Sequence, residues 1–326
     1  MKIGIPRSLV YYYYYPFWKT LFNSLGHELV ISSPTTTAIV NKGVKEATPE
    51  ICVPIKVFIG QVLDLLEKNV DKIYIPRFVS IKKGITFCPK FLGLPDMIIH
   101  SLKGLENKVL THHIESRDDD ISEYNNYKGL LGELRVSSRT MKKALTKARQ
   151  NWLEFRRMQK EGYDTQALLE GEKEKQGEGK ITIGLLGYVY NIYDQFINMG
   201  IINRLKELGI KFITFEMLDE KILEKELKAF DKLMFWEFTN KILGAGYHLI
   251  HSPEIAGVIH VTAFGCGPDS ILGPFLEFEA DKRNKPFMTL RIDEQTGKSH
   301  LLTRVEAFTD LLKLKIAQKD KKENAG

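Results

Sequence analysis

Lys2-Ile3-Gly4-Ile5-Pro6 reads as a short buried strand, and the residues after it decide the fold. Tyr15 to Leu25 carries apolar residues at helical spacing, Gly26 stops that helix as a C′ residue, and Leu29-Val30-Ile31 reads as a second strand. The same order returns in the second half. There Ile181-Thr182-Ile183-Gly184-Leu185 is the strand, Phe196 to Leu208 the helix, Gly209 the stop and Phe212-Ile213-Thr214-Phe215 the next strand. Strand, loop, amphipathic helix, glycine, strand is the βαβ unit, whose parallel strands are buried on both faces.

Each half continues in the same style. Helices are expected over Thr37 to Ala47 and Pro54 to Glu67, then the strand Ile73-Tyr74-Ile75. In the second half a helix over Glu220 to Ala229 precedes a strand at Leu233-Met234-Phe235. A helix over Ile242 to Ile250 and the strand Gly257-Val258-Ile259-His260 follow. Strands alternating with helices predict two doubly wound α/β lobes with parallel sheets. The expected division is an N-terminal lobe over residues 1–115, a helical insert and charged linker over 116–179, and a C-terminal lobe over 180–326. Thr140 to Glu161 has long helical stretches, and Gly171 to Lys180 is nearly all Glu, Lys and Gly, as in a solvated linker. Thr303-Arg304-Val305-Glu306 fits a capping box opening a helix through Ala317, with a frayed tail from Lys319 to Gly326.

A chain of 326 residues is about twice the usual domain length, so two lobes fit it. Hydrophobic residues at 43% and charged residues at 27% supply real cores and an ordinary surface. No apolar run reaches the roughly 20 residues of a membrane span, and the N-terminus has no signal-peptide core. A cytoplasmic protein is expected. The net charge of +6 is modest, and Lys and Arg are spread among Asp and Glu, which argues against a dedicated nucleic-acid binder. A positive surface still suits an anionic partner such as a coenzyme A ester or a nucleotide.

The three cysteines lie far apart, which does not fit a secreted disulfide framework. Cys52 stands in Cys52-Val53-Pro54, just before an amphipathic helix, where amide N–H groups and the positive helix end favour a thiolate. Cys88 precedes Pro89 in a loop after a strand, the place where open α/β sheets hold ligands. Cys266 sits between Gly265 and Gly267, which let the backbone approach a bulky ligand and form an anion-binding nest. All three fall in Pro- or Gly-marked strand-to-helix junctions. Burial as small hydrophobes and metal ligation compete on even terms, since no Cys-x-x-Cys pair is present.

Several phrases together resemble a known family. They are Lys2-Ile3-Gly4-Ile5-Pro6-Arg7 with Tyr11 to Tyr15, Cys52-Val53-Pro54-Ile55-Lys56-Val57-Phe58, and Tyr74-Ile75-Pro76-Arg77. Cys88-Pro89-Lys90-Phe91-Leu92-Gly93-Leu94-Pro95-Asp96, Phe264-Gly265-Cys266-Gly267-Pro268-Asp269-Ser270 and the closing Ile292 to Thr296 with Thr303 to Phe308 complete the set. They are similar to the domain associated with 2-hydroxyacyl-CoA dehydratase activases, a CoA-enzyme activase-related family. That family in turn resembles the cluster-bearing subunits of 2-hydroxyacyl-CoA dehydratases, benzoyl-CoA reductases and double-cubane cluster proteins.

The resemblance implies two Rossmann-like lobes holding a 4Fe-4S cluster through Cys52, Cys88 and Cys266, with one iron left for a non-protein ligand. It also implies an ATP-dependent activase as electron donor and an acyl-CoA or other small anionic substrate. A double-cubane cluster and a homodimer are further readings it leaves open. The chain has no GxxxxGK[ST] loop, so it resembles the electron's recipient rather than the ATPase. Lys56, Arg77 and Lys90, with Gly265 and Gly267, are candidates for surrounding the cluster; solvated surface cations are the plainer reading of the three bases. Tyr11 to Tyr15 either lines a cleft or fills core and interface. Competing readings are a non-catalytic cluster carrier docking the activase, and a zinc site of the cysteines with His248, His251 or His260. A nucleotide site at Gly265-x-Gly267 and a Cys–His nucleophile are weaker, lacking a third glycine and a designated base.

Overall fold

The computed structural model describes residues 1–177 and 179–323. Its strands are β1 Lys2–Ile5, β2 Glu28–Ile31, β3 Lys72–Tyr74, β4 Arg77–Lys82, β5 Ile85–Thr86, β6 Val109–Leu110, β7 His113–Glu115, β8 Ile181–Leu186, β9 Ile210–Ile213, β10 Val258–Ala263 and β11 Phe287–Ile292. Two four-stranded sheets are parallel throughout. One runs β2-β1-β3-β6 and the other β9-β8-β10-β11. Counted within each half, both orders are 2-1-3-4, so the repeat read from the chain is a repeat of topology. This is the flavodoxin-like doubly wound arrangement, with a switch point beside each first strand. A small third sheet, β5-β4-β7, stands on the first half.

The helix Tyr11–Ser24 begins before the expected Tyr15, although Pro16 lies inside it. Pro16 has no N–H to give the Tyr12 carbonyl, which disfavours a helix in isolation. Here Tyr11 to Phe17 are all buried, and packing overrides that local preference. The five tyrosines fill core and interface. Tyr12 Oη donates to Asp194 Oδ2 at 3.1 Å in the second half of the chain, and Tyr13 Oη donates to Asp119 Oδ2 at 2.8 Å.

Some expectations are corrected. Leu233-Met234-Phe235 is not a strand, because the Asn240 side chain donates to Met234 O (3.0 Å) and accepts from Met234 N (2.9 Å). Those backbone groups are taken from any sheet ladder. The second-half helix starts at Ile201, not Phe196. Asp194 Oδ1 accepts from the amides of Phe196 and Ile197, and Asn198 bonds Ile192 O and the Gly200 amide, which holds a turn. Thr303 caps nothing, since the last helix runs Lys298–Glu323 and its hydroxyl donates back to Ser299 O. That helix also orders Lys319 to Glu323 of the expected frayed tail, whose residues 324–326 lie outside the described chain. The hairpin β4–β5 before Cys88 was not foreseen.

The long helix Ser138–Lys160 packs on the helix Tyr11–Ser24, its Trp152 Nε1 donating to Tyr13 O at 3.0 Å. No helix among the described residues is long and apolar enough to cross a membrane.

Candidate functional site

Each cysteine is the residue immediately before a helix. Cys52 caps Val53–Glu67, Cys88 caps Pro89–Leu92 and Cys266 caps Gly267–Lys282, all with a proline at the first or second helical position. Proline there lacks an amide the helix would leave unpaired anyway, and Pro89, which directly follows Cys88, also holds that cysteine extended. All three cysteines have extended backbone, with ψ angles of 148°, 139° and 108°.

The three helix starts converge. Cys52, Cys88 and Cys266 line one cavity of about 320 Å³, together with Leu9, Phe91, Tyr188, Tyr190 and Trp236. Cys52 and Cys88 come from the half that carries the first sheet, and Cys266 from the half that carries the second. Two contacts close the seam beside them. The Thr86 amide donates to Phe235 O at 3.1 Å, and a Cβ on Gly265 would stand 3.7 Å from Glu50 O. Gly265 has φ +74°, a left-handed conformation that favours glycine, while its neighbour across the seam stands at ordinary contact distance.

The cavity wall is apolar and aromatic. Tyr188 and Tyr190 stack at 5.3 Å, and Tyr188 Oη pairs with Thr239 Oγ1 at 2.6 Å. Burial pushes the Cys88 thiol up, against the pull of the Lys90 amide, and the neighbouring Cys52 sulfur pushes it further. Cys266 is raised more strongly, by burial first and then by the Asp269 carboxylate. The helix ends do not make these two cysteines free thiolates. Burial favours the neutral thiol at both positions.

The spacing of the sulfurs matters. Their charges act on one another, yet among the described residues they do not form a set with all ligand atoms within 4.8 Å. Three sulfurs on one zinc ion would stand about 3.8 Å apart, from Zn–S bonds of about 2.3 Å at tetrahedral angles. The three sulfurs are therefore spread wider than the ligands of one zinc ion. The histidines of the zinc reading do not line this cavity. His251 pairs with Glu279 at 2.7 Å, His248 lies 3.7 Å from Glu226, and His260 lines a different pocket.

Of the surrounding candidates, Lys90, Gly265 and Gly267 line the cavity. Lys56 and Arg77 do not. Lys56 Nζ is bound by Glu294 at 2.5 Å, and Arg77 reaches Leu92 O at 2.6 Å and Asp96 at 2.8 Å. Arg77 therefore braces the segment that carries Cys88.

Sequence reasoning missed Leu9, Phe91, Tyr188, Tyr190 and Trp236. A signal existed for three of them: Leu9 follows β1 as Tyr188 and Tyr190 follow β8, at equivalent turns of the two repeats. A second centre was also missed. Asp119, Glu220 and Glu237 gather around Lys241, with Asp119 at 2.8 Å and Glu237 at 3.6 Å from its ammonium.

Fold and cavity together define an α/β protein of two parallel-sheet halves with three thiols where the halves meet. The chain belongs to the family described as CoA enzyme activase uncharacterised domain (DUF2229), matched over residues 2–218. The match includes Cys52 and Cys88, while Cys266 lies beyond it. Among curated proteins none matches. A solved structure named "Crystal structure of ZnuA" aligns over 95% of this chain and 98% of that chain, at 9% identity and a TM-score of 0.27. A likeness that low defines neither fold nor function.

Proposed function

We propose that Cys52, Cys88 and Cys266 hold a 4Fe-4S cluster, and that the protein accepts low-potential electrons from an ATP-dependent activase. The observation that carries this reading is the meeting of three distant cysteines in one apolar cavity. When bound, such a cluster supplies one-electron chemistry and one iron without a protein ligand.

The chain's own residues have separable roles in this reading. Three helix N-termini and the Lys90 ammonium offset the negative charge of three thiolates. Phe91, Tyr188, Tyr190 and Trp236 exclude water, which strengthens those interactions and tunes potential. Leu9 closes the cavity from the first β-to-α turn, with its backbone held at φ 53°. The Lys56–Glu294 ion pair fixes the Cys52 helix against the second half of the chain. A small anionic substrate of acyl-CoA type would enter on the Lys90 side.

A second reading is a cluster carrier that docks the activase without turning over a substrate. Exposed aromatics favour a protein partner here: Phe264 is 67% exposed two residues from Cys266, and Phe235 is 65% exposed beside Trp236.

Anaerobic purification with iron and sulfide counts, visible spectra and EPR tests the cluster. About four irons and four sulfides per chain are expected from a single cubane. Zinc in place of iron, or bare thiols under strict anaerobiosis, would overturn the assignment. ATP-dependent reduction by an activase, then consumption of an added acyl-CoA, separates enzyme from carrier.

A further inference from the structure

On the far side of the Cys266 turn lies a second cavity of about 380 Å³, between β10 and β11 and the helix Gly267–Lys282. A helix laid on a parallel sheet normally fills this space with aliphatic side chains. Here the sheet contributes His260 and Thr262 from β10, opposite Thr289 and Arg291 of β11. The helix contributes Asp269 and Gly273, and Gly273 leaves the imidazole edge uncovered.

Two of these groups are orphaned. His260 is 0% exposed and Asp269 is 3% exposed, yet neither ring nitrogen and neither carboxylate oxygen has a hydrogen-bond partner. A buried carboxylate left unpaired is costly, and buried polar groups in native proteins are nearly always satisfied. His260 Nε2 stands 3.7 Å from Asp269 Oδ1, too far for a hydrogen bond. It is a fitting distance for two ligands of one ion. Bonds of about 2.0–2.2 Å to nitrogen and oxygen span it at an angle of about 125°.

We infer that His260 and Asp269 are the protein ligands of a mononuclear divalent transition-metal site, in a cavity that shares the Gly265-Cys266-Gly267 turn with the cysteine cavity but has its own pair of ligands. An imidazole with a carboxylate selects zinc, cobalt, manganese or ferrous iron over calcium or magnesium. Two protein ligands leave the other positions to water or to a small anion. The cavity has room for both, and the Arg291 guanidinium at its rim suits an anionic co-ligand.

The test is cobalt(II) titration of Cys88→Ser protein, in which the three-thiol set is broken, followed by visible absorption. One equivalent should bind, and His260→Ala or Asp269→Asn in that background should weaken binding at least tenfold. Because a core substitution can impair folding, manganese(II) is also added to the Cys88→Ser protein alone. Selective broadening of the His260 ring signals in NMR supports the site without altering it. Cobalt binding that ignores both substitutions, or no saturable binding with unmoved His260 signals, overturns it and leaves a buried ion pair only. Failure of the cysteine cluster would not change either readout.

Discussion

The Lys56 ammonium donates to Glu294 Oε1 at 2.5 Å and to Pro49 O at 3.0 Å, which ties the Cys52 helix to the loop after β11. Lys56 is almost fully buried, with 5% of its side chain exposed, and Glu294 keeps 24%. Removing one partner strands the other in a poorly solvated place. Lys56→Met should cost about 1–3 kcal/mol in urea unfolding. The double variant Lys56→Met with Glu294→Gln should cost less than the sum of the two single changes. Strict additivity would show that the pair does not couple the two halves.

Helix contact beneath Cys52 depends on two glycines. A Cβ on Gly43 would lie 1.8 Å from Lys56 O, and one on Gly60 would lie 2.1 Å from Ile39 O. Both collisions are with backbone, so the helices Thr37–Glu46 and Val53–Glu67 must separate to admit alanine. Gly60→Ala should destabilise by about 3 kcal/mol or more. Gly132→Ala, with nothing within 4 Å of its Cβ, should be close to neutral by the same measurement. A Gly60→Ala protein as stable as wild type would refute the close approach.

The legible parts of this chain were those where local pattern and tertiary role agree. Lys2–Ile5, Glu28–Ile31 and Ile181–Leu186 are apolar runs next to an amphipathic helix and a glycine stop, and their strands form as read. The cysteine turns were legible because Pro54, Pro89 and Gly265 impose backbone shape locally. Met234 does not join a sheet because the side chain of Asn240, six residues on in the following helix, takes its backbone groups. Tyr11 was misread because burial on all sides outweighs Pro16. The aromatic wall of the cavity required knowing which turns of the two repeats face each other, and periodicity within one segment does not contain that.

Glu237 gives the molecule a pH dependence of its own. Burial pushes its carboxyl up to about 7, against the attraction of the Lys241 ammonium 3.6 Å away. Its Oε2 has no hydrogen-bond partner. The folded group stays protonated where the unfolded one, with an ordinary value near 4.5, has ionised. Its contribution is therefore constant below about pH 4.5, falls as pH rises towards 7, and is level above that. Glu237→Gln should remove this decline, worth about 3 kcal/mol at most, so the variant gains on wild type between pH 5 and 7. Parallel denaturation curves for the two proteins across that window would contradict it.

Arg77 offers a way to separate local order from global stability around Cys88. Its guanidinium donates to Leu92 O at 2.6 Å and to Asp96 Oδ1 at 2.8 Å, and so pins the short helix Pro89–Leu92 from its C-terminal end. The hydrogen bond from Arg77 holds the Asp96 carboxyl below its ordinary range. Asp96 is 57% exposed, so the ion pair itself contributes about 1 kcal/mol or less to folding. Arg77→Ala should leave the urea midpoint nearly unchanged. Hydrogen exchange across residues 88–93 should quicken, because the carbonyl of Leu92 loses its clamp and the Cys88 turn frays. If the proposed cluster is present, the iron retained after anaerobic gel filtration should fall with it, and Arg77→Lys should restore part of the lost exchange protection and of that iron. Exchange at 88–93 that matches wild type would mean the turn is held by Pro89 and core packing of Phe91, with Arg77 a bystander.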